Sequence, residues 1–280
     1  MILPGGGPRL AVRRAEGRRR PFLLVHGLAS NARMWDGVAI RLAAAGHEAV
    51  AVDLRGHGQS EEPADGYDTA TAAADLAALI GVLGWTGARA PVVAGQSWGG
   101  NVALELAARQ RGVAAVALVD GGWIRLAERF PDFDDCWRVL APPNFSAVRP
   151  AELAARLRTV AGAWPPEGLA GVLANFLELP DGTVRARLGR EHHREIVHSL
   201  WQGDPRAAYP LVDVPALLLV ADGDGPDPMA KRAAVADALA GLPDAQVRWY
   251  VGGHHDLHAE QPAQVAADLV ELAARAEAAT

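Results

Sequence analysis

The pentapeptide Gly95-Gln96-Ser97-Trp98-Gly99 has residue types and spacing that fit a nucleophilic role. An apolar strand pattern precedes it, and a helical pattern begins near Gly100. A serine on so tight a strand-to-helix turn is held in a strained conformation with its hydroxyl exposed, and the helix N-terminus stabilises developing negative charge. We therefore predict that Ser97 is a nucleophile, against the alternative of an ordinary glycine-rich turn.

Acyl-transfer chemistry also needs two backbone N–H groups directed at the oxyanion. The residue after the nucleophile, Trp98, supplies one of them. We assign the other to Leu28, in the segment His26-Gly27-Leu28 that follows the first apolar strand. His26 itself is interpreted as a structural residue that shapes this loop.

Two later segments carry an acid and a base. Ala221-Asp222-Gly223-Asp224 follows an apolar strand, and Gly253-His254-His255 follows the next one. An acid at the carboxyl end of a strand can orient a histidine and stabilise its protonated form. Asp120 also ends a strand pattern and stays open as an alternative acid.

The chain resembles the α/β-hydrolase fold family, in particular the small bacterial serine hydrolases with a helical cap. The segments that carry the resemblance are 24–27 (LVHG), 53–60 (DLRGHGQS), 95–100 (GQSWGG), 219–224 (LVADGD) and 255–262 (HDLHAEQP). The family pattern places a small residue three positions before the acid and the histidine seven positions before a proline. The resemblance therefore implies a catalytic triad of Ser97, Asp224 and His255.

Other segments contain histidines that, by residue type alone, could belong to a metal or phosphate site. The segment 53–58 contains His57, but in this family it resembles a structural turn in which Asp53 and Arg55 fix the backbone. His192, His193 and His198 are interpreted as part of a partly exposed helix, since no carboxylate or thiol completes a metal site. We expect neither a metal nor an organic cofactor.

Short apolar runs alternate with alanine-rich helical stretches in two regions of the chain. The predicted strands are 22–25, 47–52, 91–94, 113–119, 216–220 and 246–251, and the predicted helices are 34–45, 69–83, 101–109, 229–240 and 262–276. Continuous apolar strands between helices are typical of a parallel sheet covered on both faces. We predict an α/β fold, mostly a parallel doubly wound sheet, formed by residues 1–121 and 211–280.

The segment 122–210 has a different pattern, because prolines interrupt its short helical stretches. We predict that it is a helical cap inserted over one end of the sheet. Trp123, Trp137 and Trp164 are candidate substrate-binding residues, although tryptophans in such a segment equally fill a cap core.

Composition excludes several classes of protein. The net charge of −6 argues against nucleic acid as the main partner. Cys136 is the one cysteine, which excludes an internal disulfide and any multi-cysteine metal site. No apolar run approaches the roughly 18 residues that a membrane span needs. With no apolar signal-peptide core either, we expect a cytoplasmic protein that does not engage a membrane.

Six arginines lie between residues 9 and 20. We interpret this stretch as a solvated hairpin with a turn at Glu16-Gly17, rather than as a site for an anionic partner.

A serine nucleophile implies acyl transfer through an acyl-serine intermediate. We expect hydrolysis of a small to medium apolar carboxylic ester or lactone, with a small-molecule substrate as the partner and an oligomeric state that the sequence leaves open. The alternatives are a thioesterase, an amidase or peptidase, a C–C bond hydrolase, a biosynthetic tailoring enzyme, and a ligand receptor without turnover.

Overall fold

A twisted sheet organises the chain in the computed structural model, which describes residues 1–110, 112–145, 147–223 and 227–279. The strands are β1 (Val12–Ala15), β2 (Arg19–Val25), β3 (His47–Val52), β4 (Val92–Gln96), β5 (Ala115–Val119), β6 (Phe176–Glu178), β7 (Val184–Ala186), β8 (Ala216–Ala221) and β9 (Ala245–Tyr250). Within the described residues, seven of these strands form one sheet in the order β1-β3-β2-β4-β5-β8-β9. All neighbours in it pair in parallel except β1 and β3.

Helices cover both faces of this sheet, as the prediction of a doubly wound α/β fold requires. The helices are α1 (Asp36–Ala44), α2 (Thr69–Val82), α3 (Trp98–Arg109), α4 (Leu126–Arg129), α5 (Phe133–Leu140), α6 (Pro150–Ala161), α7 (Pro166–Leu173), α8 (Arg190–Gln202), α9 (Pro228–Gly241), α10 (Leu257–Glu260) and α11 (Pro262–Ala278). The predicted strands and helices of the two alternating regions are confirmed, with ends that differ by a few residues.

Two apolar cores lie on the two faces, because successive strand side chains point to opposite sides. On β2, Leu23 and Val25 pack in the core that includes residues of α2, α3 and α9. Phe22 and Leu24 pack in the other core, with residues of α1 and α11. Because β2 is packed on both faces, the positions of the loops at the carboxyl ends of the parallel strands are fixed.

The predicted N-terminal hairpin is wrong in its pairing. Strand β1 does not pair with β2; it lies antiparallel to β3, with Val12 opposite Val52 and Ala15 opposite Ala49. Strand β2 already has β3 and β4 on its two sides, so the free position was the edge of β3. Two of the arginines form ion pairs with the fold itself, Arg13 with Asp36 at 2.7 Å and Arg14 with Glu48 at 2.7 Å.

The segment 122–210 contributes helices α4 to α8 and the small β6–β7 hairpin. Its described residues, which exclude residue 146, contribute no strand to the main sheet. Several hydrogen bonds and ion pairs tie it to the core, among them the following two. The Asn31 side chain donates to the Gly171 carbonyl at 2.9 Å, and Arg187 donates to the Gly58 carbonyl at 3.0 Å. Both contacts reach the loops that follow β2 and β3. In the described part of the chain, no helix combines the length and apolar character needed to cross a membrane.

Candidate active site

Ser97 lies on the predicted turn between β4 and α3. Its backbone has φ 55° and ψ −124°, and its amide donates to the Val119 carbonyl at 2.9 Å. The flanking glycines are required because a side chain would clash with the backbone, not because their φ angles are positive. A Cβ on Gly95 would lie 2.0 Å from the Gly99 carbonyl oxygen, and a Cβ on Gly99 would lie 2.4 Å from that of His26. The small residues therefore allow the helix start to pack directly on the strands.

Three non-glycine residues with left-handed backbone conformations meet at this end of the sheet. Their φ angles are 56° for Ala29, 55° for Ser97 and 43° for Asp120. They follow β2, β4 and β5, which are neighbours in the sheet. Such conformations are uncommon for residues with a side chain and concentrate at functional sites, where the surrounding structure enforces them.

The loop after β2 lies against Ser97. A Cβ on Gly27 would be 2.9 Å from the Ser97 Cβ. The backbone amides of the next two loop residues differ. The amide of Ala29 donates to Nε2 of His57 at 3.2 Å. The amide of Leu28 donates to no group among the described residues. The amide of Trp98, first in α3, is equally unused within that description. Both predicted oxyanion donors therefore remain available.

His255 lies in the loop after β9 and contacts a buried carboxylate. Its Nδ1 is 2.6 Å from Oδ2 of Asp120, whose side chain is only 2% exposed, whereas the imidazole is 46% exposed. The Gln96 side chain donates to the His255 carbonyl at 3.1 Å, which ties this loop to the residue before Ser97. With Nδ1 donating to the carboxylate, Nε2 is the basic nitrogen.

Within the described residues, the Asp120 carboxylate has two further partners besides His255. Lys231 lies 2.9 Å from its Oδ1, and the Ala221 amide donates to the same oxygen at 3.1 Å. Burial alone would raise the pKa of this carboxyl group. The hydrogen bonds and charges of His255 and Lys231 outweigh burial and hold the Asp120 pKa below its usual range.

The expected acid, Asp224, lies outside the described residues. The neighbouring Asp222 is turned to other partners: it pairs with Arg232 at 3.2 Å and accepts from the Gly252 amide at 3.4 Å. The structure thus brings His255 to Asp120, which the sequence offered only as the alternative. The one sequence signal for it was its place directly after the buried strand β5.

His26 and His57 have structural roles in the loops around Ser97. His26 bonds the Gly27 carbonyl through Nδ1 at 2.7 Å and accepts the Leu54 amide on Nε2 at 3.0 Å. His57 bonds the Arg55 carbonyl through Nδ1 at 2.8 Å while its Nε2 accepts from Ala29. Each ring therefore donates once and accepts once, as a neutral imidazole does. Burial lowers the pKa of His26 to about 4 and that of His57 to about 3.

The turn 53–58 is fixed by its two charged side chains. The Asp53 carboxylate accepts the amides of Ala32 at 2.7 Å and Gln59 at 2.9 Å. Arg55 forms a buried bidentate ion pair with Asp75, with both distances 2.8 Å. These contacts fit the structural reading of this segment.

The three candidate pocket tryptophans have different environments. Trp123 is 5% exposed and belongs to the main core cluster. Trp164 packs beside Gly168 of its neighbouring helix α7. Trp137 lies on α5 with its ring 5.9 Å from that of His193 and with the Arg190 guanidinium 5.1 Å from its centre.

The cap histidines point to separate partners. His192 stacks on Tyr67 with ring centres 4.0 Å apart, His193 contacts the Leu140 carbonyl at 3.1 Å, and the His198 ring meets Phe133 edge-on. Across the described ranges, no three His, Cys, Asp or Glu side chains are grouped in a way that could hold a metal ion. Sequence reasoning assigned no role to Gln96 or Lys231, whose contacts depend on loops far apart in the chain.

Comparison with known proteins gives one family. Residues 22–268 match the family described as "Alpha/beta hydrolase family". The chain is 37% identical over 103 residues to the AB hydrolase superfamily protein YisY of Bacillus subtilis (strain 168), a match covering 37% of each chain. It is 28% identical over 278 residues to a non-heme haloperoxidase of Rhodococcus erythropolis, covering 91% of this chain and 93% of that one.

The fold is also similar to solved structures. The crystal structure of E-2-(acetamidomethylene)succinate hydrolase superposes with a TM-score of 0.79 at 24% identity, over 94% of both chains. At that identity the likeness concerns the fold alone.

Proposed function

Because the chain belongs to the α/β-hydrolase family, a hydrolase family, we propose that it is a serine hydrolase in which Ser97 is the nucleophile, His255 the general base and Asp120 the acid. One observation carries the proposal. A strained serine, two amides that no hydrogen bond of the described residues takes up, and a histidine paired at 2.6 Å with a buried carboxylate lie at the carboxyl ends of neighbouring strands and in the loops beside them.

The proposed reaction has two halves. In the first, Ser97 Oγ attacks the carbonyl carbon while His255 Nε2 takes its proton, and the amides of Leu28 and Trp98 bind the oxyanion. Protonated His255 gives the proton to the leaving oxygen, which departs and leaves an acyl-serine. In the second half, water attacks the acyl group as His255 takes one of its protons. The carboxylic acid then leaves and Ser97 regains its hydrogen. Asp120 stabilises the imidazolium that forms in each half.

We further propose an uncharged ester or lactone of small to medium size as the substrate. An amine-binding amidase would want unengaged acids in the cap, but Asp135 pairs with Arg138 and Glu128 pairs with Arg125. A thioesterase for phosphate-bearing carriers would want a basic entrance. Among the cap arginines, Arg156 pairs with Glu152 and Arg187 donates to the carbonyls of Ala174 and Gly58 instead.

Covalent labelling tests the nucleophile. We expect a fluorophosphonate probe to add one adduct mass per chain in intact mass spectrometry, with the modified peptide containing Ser97. Ser97→Ala should abolish the adduct, while Ser199→Ala, which removes a hydroxyl that binds Thr69, should label like the parent. Labelling that persists in Ser97→Ala would overturn the assignment.

A substrate panel tests the ester preference separately. The panel contains p-nitrophenyl acetate, butyrate and octanoate, aliphatic lactones, an acyl-coenzyme A and an aminoacyl amide. We expect measurable hydrolysis of the short p-nitrophenyl esters that chelators do not change. Rates on the thioester or amide at least tenfold above every ester and lactone would overturn the substrate class and leave the nucleophile standing.

A further inference from the structure

Lys231 is the only lysine in a chain whose other basic charges are carried by arginine. It lies in the first turns of α9, and its ammonium reaches the end of the sheet. Its Nζ is 2.9 Å from Oδ1 and 3.0 Å from Oδ2 of Asp120, and it donates to the Ala221 carbonyl at 2.8 Å. The lysine side chain is 19% exposed and the carboxylate 2% exposed.

The Asp120 carboxylate is therefore shared between two groups. Its Oδ2 faces both His255 Nδ1 and Lys231 Nζ, and its Oδ1 faces Lys231 and the Ala221 amide. A cation on one side of a carboxylate keeps the carboxylate ionised. The same cation offsets part of the negative potential that the carboxylate exerts on a group on its other side. An imidazolium next to such a pair is stabilised less than one next to a carboxylate alone.

We propose that Lys231 is a positioning residue that acts through Asp120. Its ammonium holds the carboxylate in place against His255, and it extends to lower pH the range in which His255 is neutral and able to accept the Ser97 proton. This inference rests on the proposed serine-hydrolase function and adds to it a group that sets the acidic limit of activity.

Several other charged groups in the described loops near this pair have partners of their own. His254 pairs with Glu260 at 2.8 Å, and Asp222 pairs with Arg232. The Asp227 carboxylate caps the first turn of α9 through the amides of Met229 and Ala230. His258 is buried beneath the loop and burial lowers its pKa to about 3, so it is uncharged at working pH.

Two further acids follow the neighbouring strands: Asp256 comes directly after His255, and Asp224 follows β8 but lies outside the described residues. A variant of Asp224 therefore belongs in the test, because a second carboxylate beside Lys231 would change which acid the lysine acts through.

The test is the dependence of kcat/KM on pH, measured from pH 4.5 to 9 on a short p-nitrophenyl ester. Lys231→Met should move the acidic limb, the pH range in which kcat/KM falls on acidification, upward by about one pH unit. The reason is that it removes a positive charge that contacts the carboxylate bound to the imidazole. Lys231→Gln, which keeps a donor for the Ala221 carbonyl without the charge, should give the same upward shift. Lys231→Arg should restore the limb to within about 0.3 units, since the charge is retained.

A neighbouring charge provides the matched control. Arg232→Met removes the next cation in α9, which pairs with Asp222, and it should leave the limb in place. An unmoved limb in Lys231→Met and Lys231→Gln would overturn the inference. So would a shift that vanishes when Asp224→Asn is added, because Lys231 would then act through Asp224.

Failure of the inference and failure of the proposed function give different results. If the parent protein is not labelled at Ser97 by a fluorophosphonate at pH 8, the serine-hydrolase proposal fails. If the parent is labelled and hydrolyses the ester but the acidic limb does not depend on residue 231, only the role of Lys231 fails.

Discussion

The amide of Ser97 donates to the carbonyl of Val119 at 2.9 Å, so the turn that carries Ser97 is held by β5, the strand that Asp120 follows. Ser97 and Asp120 both have left-handed backbone conformations, and Asp120 follows the residue that accepts this hydrogen bond. One hydrogen bond between neighbouring strands thus fixes the position of the serine relative to the carboxylate that meets His255.

The identity of the acid is the first prediction. Asp120→Asn should lower kcat on a p-nitrophenyl ester by about 10³–10⁴-fold, because the amide cannot stabilise the imidazolium or hold its tautomer. Asp224→Asn should lower it by less than tenfold. The reverse order in the two variants would return the acid to Asp224, the choice that the family resemblance implies.

The elbow glycines are the second prediction. Gly99→Ala should remove most soluble protein or most activity, because its Cβ would lie 2.4 Å from the His26 carbonyl oxygen and 2.7 Å from that of Val25. Gly81→Ala is the matched control, since a Cβ there meets nothing within 4 Å in the helix α2. We expect it to raise the free energy of unfolding by about 0.5–1 kcal/mol. Equal effects of the two changes on urea unfolding would contradict the packing argument.

The buried ion pair beneath the site is the third prediction. Asp75→Asn should lower the free energy of unfolding by about 3–5 kcal/mol, because it leaves the Arg55 guanidinium buried without a counter-charge. The side chains are only 9% and 8% exposed. Arg138→Gln, which breaks an exposed pair with Asp135, should change stability by less than about 1 kcal/mol. Chemical denaturation of both variants measures the difference.

The fourth prediction concerns stability at acidic pH. His26 and His57 are neutral in the folded protein down to about pH 4 and 3, whereas in the unfolded chain they take up protons below about pH 6.5. Because the unfolded state binds more protons than the folded state below about pH 6.5, the free energy of unfolding decreases as the pH falls from 6.5 toward 4 and 3. Above about pH 6.5 the contribution of the neutral histidines is fully present. The loss is on the order of 3 kcal/mol for His26 and 5 kcal/mol for His57 over that window.

A conservative variant checks this linkage. His57→Gln keeps a donor and an acceptor but has no group that titrates in this range. Between pH 7 and 5, its free energy of unfolding should fall less steeply than that of the parent. Parallel slopes for the two proteins would contradict the assignment of a neutral buried imidazole at this position.

The fifth prediction separates two tryptophans. Trp137→Leu should change the ratio of kcat/KM values between p-nitrophenyl acetate and octanoate, since Trp137 lies on α5 of the proposed cap beside His193. Trp123→Leu should instead lower the melting temperature and leave that ratio unchanged, because Trp123 fills the main core. A ratio that responds to Trp123 and not to Trp137 would reverse these roles.

Local signals in the sequence were sufficient for the strands, the helices and the turn at Ser97. The apolar runs of β4 and β5 specify buried strands by themselves, and the glycines around Ser97 specify the tight turn between β4 and α3. These features depend on residues within a few positions of one another.

The partner of His255 and the place of β1 depend on contacts between distant segments. Asp120 and His255 are separated by 135 positions, and nothing in the residues next to Asp120 distinguishes it from another acid at a strand end. For β1, the Glu16-Gly17 segment permits a hairpin, and only the free edge of β3 decides otherwise. Both outcomes follow from the order of strands in the sheet.

The antiparallel strand β1 has a consequence for handling the protein. It covers the edge of β3, whose six residues are all buried. Removing residues 1–15 would expose unpaired amides and carbonyls along an apolar strand, which is a template for another chain. N-terminally shortened versions should therefore self-associate through this edge. The opposite edge, β9, alternates half-buried and exposed residues before the buried Tyr250 and carries Arg248, features that discourage such pairing.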